Sequence, residues 1–517
     1  MKVVGVLLGL ALLLCAGAKA SAEDDVSLID RGLAAAATNG LMFFEDAAAD
    51  RAIAQRAADV ANRLPPEREA NLRAVLDEVA SYSGAYDAPR ATALFGMLDE
   101  NTRYFGSHNL PPARADVVDA DGVVYRFFPG LGLQWHPLAE FVALNAAVRS
   151  RDVQRTARLA HALYEREEEG TGYEYYFRFG GPPRWTSGMA EAVAAQAFAR
   201  AAALTDNPFL DAPAVRAARR AGRLVLHVSA GPWIRLYSFD REVVLNAQLQ
   251  AVLSLQDYAK LEGDASAARL ASALAASAQA LLPRFDTGAW SLYSLGGPEA
   301  PLEYERYVTD ELRQLAARDR KWRDAATRFA AYLREPPALT VSKQTLAAWP
   351  RPRDGYLDTV EVSFGLSKIS RVVLIVGSQR RIATVPRGAH TFSVDPGPLR
   401  PGQYDARLAA TDLAGNFGQV QLQPVTVGWD VRAPNVTATL DGTRLTWFSD
   451  DAGTPWLWLR VVLRRSGETS VRDLGRRPRN GSFLLTRPVG TWSATLRATS
   501  SAGYTATVPL GPFPASG

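Results

Sequence analysis

A change in hydrophobic period at Glu335-Pro336-Pro337 constrains the fold of this chain more than any other feature. Before these prolines, apolar residues recur at the three-to-four-residue spacing of an amphipathic helix; after them, apolar and polar residues alternate as in a half-buried strand. A pattern with one of these periods does not suit the other element, because many of its apolar side chains would then face water. The sequence therefore predicts a helical part followed by a β part. At 517 residues, the chain also exceeds what one hydrophobic core usually organises.

The helical part is predicted to be an all-α domain over residues 23–335. Prolines precede several of its periodic segments and Gly or Asn separates them, as is typical of helix boundaries. Helical hairpins with short loops can close into an α/α toroid, and we expect that architecture, with the aromatic loops 101–136 and 170–187 lining a cleft. The predicted helices are 24–37, 45–63, 66–82, 88–99, 137–148, 151–168, 188–204, 212–228, 240–260, 263–282 and 302–334.

The β part is predicted to form two Ig-like β-sandwich domains, over residues 338–428 and 432–514, since each is near the usual size for that fold. The segment from Ala410 to Phe417 resembles the closing-strand pattern of bacterial Ig-like repeats. The expected fold class is thus multidomain, with an all-α (α/α) toroid followed by two all-β sandwiches. The predicted strands are 360–364, 371–376, 381–385, 404–411, 418–426, 435–440, 457–465, 482–486 and 492–499.

Residues 1–22 have the pattern of a secretory signal peptide. Lys2 precedes an apolar run, and the segment ends in Ala20-Ser21-Ala22, which suits cleavage before Glu23. Export to the medium or the cell surface is expected. A lipoprotein anchored through Cys15, the single cysteine, is the alternative, but bulky Leu14 stands where such anchors have a small residue.

Charge is distributed unevenly along the chain. Residues 336–517 contain 21 Lys and Arg against 12 Asp and Glu, whereas residues 23–335 contain 35 against 42. A basic C-terminal part could hold the protein on an anionic cell-wall polymer. The alternative is an arginine-rich solvated surface without a partner. No nucleic-acid-binding motif accompanies the basic surplus, so nucleic acid is not an expected partner.

Several kinds of catalytic chemistry are disfavoured by the motifs that the sequence lacks. The five histidines are scattered without a pair at metal-ligand spacing, and neither a Walker-type loop nor a Gly-x-Ser-x-Gly elbow occurs. Cleavage after Ala22 would also leave no thiol nucleophile. Tyrosine, arginine and carboxylate chemistry remains, and no metal or cofactor is expected.

The segment 281–315 sets tyrosines, an Asp-Thr-Gly turn and a tryptophan between two predicted helices, which suggests a site. Together with earlier segments, it resembles the C-terminal domain of D-glucuronyl C5-epimerases, in order and spacing, over residues 123–320. The matching stretches are Phe128-Pro-Gly-Leu-Gly-Leu-Gln134, Phe179-Gly-Gly-Pro-Pro-Arg-Trp-Thr-Ser-Gly-Met189, Leu245-Asn246, Phe285-Asp-Thr-Gly-Ala-Trp-Ser-Leu-Tyr293-Ser-Leu and Tyr307-Val-Thr.

The resemblance implies a cofactor-free epimerisation of a uronate, from the D-glucuronate to the L-iduronate type, within an acidic polysaccharide. By position, Tyr237, Tyr293 and Tyr307 match the family's three tyrosines at the reacting centre, and dimerisation could extend the cleft. Tyrosine can exchange protons if a nearby cation or a dry pocket shifts its pKa. Packing is the structural alternative for each of these aromatic residues. The candidate substrate-binding residues are Arg178, Arg184, Trp185, Glu191, Arg235, Asn246, Trp290 and Arg306.

The chain departs from the family pattern beside two of the tyrosines. Leu236 stands where the family commonly has glutamate, and Val308 stands where it commonly has histidine. Asp240 or Glu242 could replace the missing acid, and Arg306 a missing cation. Two alternatives therefore stay open: a polysaccharide lyase, which begins with the same proton abstraction, and a non-catalytic protein that binds glycan or cell wall.

Overall fold

The computed structural model describes residues 22–486 and 489–513. Cys15 and nearly all of the predicted signal peptide lie outside these residues. The chain divides into two compact units. We call residues 22–286, 292–298 and 307–326 the helical unit, and residues 287–291, 299–306 and 327–513, without 487 and 488, the strand unit.

The predicted helices of the first half are confirmed in approximate position, and their capping explains several boundaries. The eleven predicted segments correspond to twelve α-helices among the described residues, because the last segment is divided in two. Asp87, Asp152 and Ser187 each accept a hydrogen bond from the backbone N–H three residues later. The helices are α1 (Ala22–Thr38), α2 (Phe44–Ala61), α3 (Pro66–Ser81), α4 (Ala88–Ser107), α5 (Pro137–Arg149), α6 (Val153–Tyr164), α7 (Gly188–Thr205), α8 (Asp211–Arg223), α9 (Leu245–Glu262), α10 (Ala265–Phe285), α11 (Leu302–Arg318) and α12 (Arg323–Tyr332).

Several helix predictions were wrong in extent. The predicted helix 88–99 continues to Ser107, and the predicted helix 240–260 begins only at Leu245. The segment predicted as helix 212–228 ends as a helix at Arg223, and Val225–Val228 forms the first strand of a hairpin. The second strand begins at Gly231, whose φ of 123° suits glycine. The predicted helix 302–334 is interrupted between α11 and α12, where the Asp319 side chain accepts from the backbone N–H of Lys321 at 3.0 Å. This local bond caps a short 3₁₀ turn and ends the first helix.

A three-stranded antiparallel sheet occupies much of the predicted loop 101–136. It consists of β1 (Asp116–Val118), β2 (Val124–Phe128) and β3 (Gly132–Trp135), with β2 in the centre. Arg126 lies opposite Asp116 on one side and Gln134 on the other. Directly paired residues point to the same face of a sheet, so these three side chains form one row. The hairpin from 225 to 234 supplies β4 (Val225–Val228) and β5 (Gly231–Ile234).

The strand unit contains the remaining strands, and its buried residues collect in two hydrophobic clusters, one between residues 348 and 427 and one between residues 445 and 513. The predicted strand 418–426 is interrupted near Pro424, which lacks a backbone donor. The strands are β6 (Leu339–Gln344), β7 (Ala347–Ala348), β8 (Val360–Leu366), β9 (Ser370–Val376), β10 (Gln379–Val385), β11 (Gly388–Val394), β12 (Gly402–Tyr404), β13 (Ala406–Asp412), β14 (Phe417–Gln421), β15 (Val425–Val427), β16 (Val436–Asp441), β17 (Arg444–Ser449), β18 (Leu457–Arg465), β19 (Glu468–Arg477), β20 (Gly481–Leu484), β21 (Trp492–Ser500) and β22 (Thr505–Phe513).

These strands form five sheets, with the orders β11-β8-β6, β10-β9-β13-β14, β12-β15-β7, β16-β17-β20 and β19-β18-β21-β22. A helical first half followed by many strands confirms the multidomain fold at that level. Among the described residues, no helix combines the length and the apolar character needed to cross a bilayer.

Candidate active site

An aromatic cluster in the helical unit forms the centre of the candidate site. Tyr175 and Trp185 stack in parallel, with ring centroids 3.8 Å apart and planes inclined by 5°. A backbone hydrogen bond of 2.8 Å from Tyr175 to Trp185 and an indole bond of 2.9 Å from Trp185 to the Phe177 carbonyl fix this pair. Around the buried residues Tyr175, Phe177 and Trp185 lie the partly buried residues Phe128, Leu131, Phe179, Tyr237 and Phe239.

Tyr237 joins this cluster from the segment that follows β5. Its ring stacks on Phe239 at 5.4 Å and meets Trp185 edge-on at 5.3 Å. The segment is held in place by two bonds between Ser238 and Thr186: the Ser238 N–H donates to the Thr186 carbonyl at 2.8 Å, and the Thr186 N–H donates to the Ser238 hydroxyl at 3.0 Å. The predicted Tyr237 and Trp185 are thus brought together, with the tyrosine half-buried at the rim.

The start of α7 shows why this arrangement is compact. Ser187 caps the helix through a bond from the Ala190 N–H at 3.2 Å. A Cβ on Gly188 would lie 2.9 Å from the carbonyl oxygens of Leu224 and Arg235, so only glycine allows the helix to approach the hairpin so closely. The packing fixes the segment before α7, which contains Trp185, against the segment that contains Tyr237.

A polar row on the sheet β1–β3 adjoins the aromatic cluster. Arg126 makes a two-pronged ion pair with Asp116, with bonds of 2.7 and 2.9 Å. On its other side lies Gln134, whose amide donates to a Glu78 carboxylate oxygen at 2.8 Å. Phe128, two residues from Arg126 on the same strand face, packs on Phe177 with centroids 4.9 Å apart. The row Asp116–Arg126–Gln134–Glu78 therefore runs past the aromatic cluster.

The pKa of Arg126 depends on its surroundings, including two tyrosines. Burial lowers the pKa of Arg126, but the Asp116 carboxylate and, to a smaller extent, the phenols of Tyr175 and Tyr307 raise it above its ordinary value overall. Arg126 remains a cation at any relevant pH. The exposed fraction of its side chain is 29%, so the charge is partly accessible to a ligand.

His136 beside the row and Glu78 within it also have shifted pKa values. Burial, assisted by the nearby Arg126 charge, lowers the pKa of His136 to about 3, so this imidazole is neutral at neutral pH. It meets Tyr175 edge-on at 5.2 Å, and the Tyr175 hydroxyl accepts from the Leu138 N–H at 3.2 Å. Burial raises the pKa of Glu78 to about 7, against a lowering effect of the Gln134 hydrogen bond. Glu78 can therefore exchange a proton near neutral pH.

The other two predicted tyrosines lie in the same unit. Tyr293 is half-buried in the connection between α10 and α11, where its N–H donates to the Pro298 carbonyl at 3.0 Å and its carbonyl accepts from the Leu245 N–H at 3.4 Å. Tyr307 lies on α11 with 60% of its surface exposed. Its effect on the Arg126 pKa associates it with the polar row.

The predicted arginines of the helical unit lie at different places. Arg178 and Arg184 are exposed, and both lower the pKa of Tyr82, although burial raises it more strongly. Arg235 is half-buried, and its guanidinium donates to the Asp240 carbonyl at 2.8 Å. Arg178 and Arg184 are accessible to an anionic ligand from solvent, whereas the hydrogen bond of Arg235 stabilises the segment that contains Tyr237.

The remaining predicted ligand residues differ in their exposure and in their partners. Glu191 is buried and pairs with Arg220 at 3.0 Å, while its other oxygen accepts from the Tyr173 N–H at 3.0 Å. Asn246 is buried at the start of α9. In the strand unit, Arg306 is exposed on α11, and Trp290 has no exposed surface, since its indole donates to the Ala300 carbonyl at 2.8 Å. Trp290 thus presents no ring face for sugar stacking.

Residues 167–327 match the family model described as D-glucuronyl C5-epimerase C-terminus. The resemblance inferred from the motifs is confirmed over this segment, which contains all three predicted tyrosines and most of the aromatic cluster. The segment 123–166, which the motifs also suggested, lies outside the match.

Other comparisons are less informative. No curated protein matches the chain. Among solved structures, the endoglucanase Cel10 from Klebsiella pneumoniae is 12% identical, with a TM-score of 0.31, over 39% of this chain and 70% of that one. The endo-β-1,4-glucanase CMCax from Acetobacter xylinum is 14% identical, with a TM-score of 0.28, over 37% and 57%. Fibronectin(III)-like modules of CbhA from Clostridium thermocellum are 11% identical, with a TM-score of 0.19, over 35% and 94%.

Sequence reasoning missed the polar residues that adjoin the epimerase-type segment. Arg126 and Glu78 belong to no quoted motif, and Gln134 served only as the end of one. The alternation in Val124–Phe128, which places Arg126 between buried neighbours, was the available signal. Among the described residues, no three His, Cys, Asp or Glu side chains converge as a metal site would require.

Proposed function

We propose that this chain is a polysaccharide C5-epimerase that acts on a uronate residue of the D-glucuronate type. The observation that carries the proposal is the partly exposed cation of Arg126 on the same strand face as Phe128, which packs into the aromatic cluster that contains Tyr237. The phenols of Tyr175 and Tyr307 also act on the pKa of Arg126. The family match over residues 167–327 supports the same chemistry.

The reaction requires little beyond proton transfer. A base removes the proton at C5, and the electron pair of the C5–H bond delocalises into the adjacent carboxylate. An acid on the opposite face then returns a proton to C5, which re-forms the bond with inverted configuration. Because one proton leaves and one returns, the step needs no redox cofactor. It does need a cation or hydrogen-bond donors at the carboxylate, where negative charge develops.

Arg126 is assigned the role of binding the carboxylate of the substrate. A guanidinium binds a carboxylate through two parallel bonds. Asp116 uses Nε and one N–H of Nη2, so the substrate carboxylate is assigned to Nη1 and the other N–H of Nη2. Tyr237, Tyr293 and Tyr307 are assigned the proton transfers and the stabilisation of the intermediate. The partly buried rings at the edge of the aromatic cluster, Phe179, Tyr237 and Phe239, supply ring surface for the sugar, whereas Trp185 is buried against Tyr175. Neutral His136 orders Tyr175 without adding a competing charge.

The architecture and location of the protein are part of the proposal. The helices of the first half would form an α/α toroid, and the two hydrophobic clusters of the strand unit would be the cores of Ig-like sandwiches. Export through the predicted signal peptide would place the enzyme where acidic polysaccharides occur, and dimerisation could lengthen its cleft.

The experiment is incubation of the protein with heparosan in deuterated water, with NMR detection of deuterium at C5 and of iduronate-type signals. We expect exchange with inversion in the wild type and a strong loss in Tyr237→Phe and Tyr307→Phe. Tyr164→Phe is the matched control, because Tyr164 is partly exposed at the end of α6, away from the cluster. No exchange in any uronate polymer would overturn the proposal.

The same experiment distinguishes a lyase from an epimerase. Abstraction of the C5 proton followed by loss of the C4 substituent gives an unsaturated uronate, which absorbs in the ultraviolet and shortens the polymer. Binding without exchange would instead identify a glycan-binding protein. In that case the nearly buried Leu236 would be the departure that removed the chemistry.

A further inference from the structure

The sheet β19-β18-β21-β22 of the strand unit has one apolar face and one solvent face. Leu457, Leu459, Val461 and Leu463 of β18 have almost no exposed surface and belong to the second hydrophobic cluster. The alternate residues of β18 point to the opposite face, and the register places partners from the neighbouring strands beside them. We call this opposite side the outer face.

The outer face is strongly basic. By register, its charged residues on these four strands are Asp473 and four exposed arginines, namely Arg460, Arg464, Arg476 and Arg497. Asp473 pairs with Arg460 at 3.0 Å. The surplus of positive charge is therefore about three on a surface four strands wide.

Like charges meet directly on this face. Arg460 of β18 and Arg497 of β21 are register partners, so their Cβ atoms lie about 5 Å apart. Directly opposed like charges destabilise a sheet, and no solvent-facing acidic residue of β21 or β22 offsets Arg497. Asp473 already offsets the Arg460 charge, and an anion that binds Arg497 would remove the rest of the repulsion.

Tryptophans accompany the arginines. The Arg476 guanidinium lies 4.2 Å from the ring centroid of Trp456, and that of Arg460 lies 5.9 Å from the ring centroid of Trp458. The Trp458 indole donates to Asp473 at 2.9 Å, which fixes the ring on the sheet surface. An indole beside ordered guanidinium groups offers a sugar ring an apolar face and its carboxylate a bidentate donor.

Small hydroxyl residues continue the face towards β22. Thr499 and Thr505 lie side by side, with their hydroxyl oxygens 2.9 Å apart, and Thr507 lies opposite Arg497. The face therefore presents hydroxyl, indole and guanidinium groups around a short apolar stretch, Val462 and Val471. Such a face suits an extended chain with repeated anionic groups and hydroxyls better than a compact ligand.

We propose that the outer face of the sheet β19-β18-β21-β22 binds an acidic polysaccharide, with Arg464, Arg476 and Arg497 contacting carboxylates and Trp458 contacting a sugar ring. The choice of a uronate polymer as partner rests on the proposed function, whereas the basic and aromatic character of the surface is observed independently of it. The face would hold the chain on the polymer on which the helical unit acts.

The test measures binding of the full-length protein to heparosan, to a neutral β-glucan and to duplex DNA by calorimetry at several salt concentrations. Arg464→Gln/Arg497→Gln should weaken heparosan binding by about tenfold or more and reduce its salt dependence. Trp458→Ala should weaken binding with an unchanged salt slope. Arg380→Gln/Arg381→Gln, exposed on β10, removes the same charge elsewhere and should retain wild-type affinity.

Unchanged heparosan affinity in Arg464→Gln/Arg497→Gln would overturn the proposal, as would equal losses in the β10 variant. Tighter binding of DNA than of heparosan would show that the face recognises nucleic acid. Thermal melting identical to wild type verifies that the exposed substitutions leave the fold intact. C5 exchange in the wild type is recorded in parallel: binding that depends on these arginines, without exchange, would refute only the proposed catalytic function.

Discussion

Substitution of Glu78 by glutamine should make the protein more stable at alkaline pH and leave it unchanged at acid pH. Burial raises the pKa of Glu78 from its ordinary value of 4.5 to about 7. The folded state therefore binds more protons than the unfolded state between these two values. The stabilisation present below pH 4.5 is lost as the pH rises through 7, because the buried group must then carry its charge.

The size of the effect follows from the displacement of the pKa. A pKa of about 7 instead of 4.5 corresponds to a loss of up to about 3 kcal/mol above pH 7. Glutamine has the same shape, carries no charge and can still accept the 2.8 Å bond from Gln134. Glu78→Gln should therefore recover most of this loss at about pH 8 and nothing at about pH 4.

Thermal and urea unfolding from about pH 4 to about pH 8 measures the difference. Glu67→Gln is the control, since Glu67 is exposed on the same helix and should show no such pH dependence. Equal stability of Glu78→Gln and wild type at about pH 8 would refute the reasoning, since it would mean that the carboxylate is charged without penalty. If Glu78 also acts as a base towards the substrate, the wild-type C5-exchange rate should rise as Glu78 loses its proton near pH 7, and the variant should lack this rise.

Three further outcomes are expected. Arg126→Gln should lower the C5-exchange rate by about 100-fold, with partial recovery in Arg126→Lys, and equal rates would exclude Arg126 as the carboxylate partner. Arg220→Met should destabilise the protein by about 3–5 kcal/mol in urea unfolding, because it leaves the buried Glu191 without its cation and removes one of the two arginines that pair with Glu167, which keeps Arg216. Trp290→Phe should cost about 2 kcal/mol through a lost indole bond and a small cavity, with unchanged heparosan affinity; weaker binding would return Trp290 to the substrate-binding set.

Most secondary structure of the chain could be predicted from periodicity, because an element that buries one face repeats its apolar residues at its own spacing. The errors occurred where local bonds or short elements interrupted the pattern. Val225–Val228 has too few residues for its period to be distinguished from the end of α8, and the capping bond at Asp319 divides a pattern that reads as one helix.

The candidate site was only partly predictable. Tyr237 and Trp185 stood in recognisable motifs, and the structure brings them together. Arg126 and Glu78 are separated by 48 positions in the sequence, and no local pattern connects them. They share one polar row because β2 and β3 pair in the register that sets Arg126 beside Gln134, and because α3 brings Glu78 to that amide.

The sequence by itself determined the division into helical and β parts, the basic C-terminal surplus and the tyrosine motifs, since each of these depends on residue type and near-neighbour spacing. Tertiary structure alone decided which charges are compensated. Glu191, predicted to bind substrate, is instead paired with the buried Arg220. Arg497 lies opposite another arginine, Arg460, on the neighbouring strand. Both outcomes depend on contacts between segments distant along the chain, and the energy of a charge depends on the groups that surround it in space.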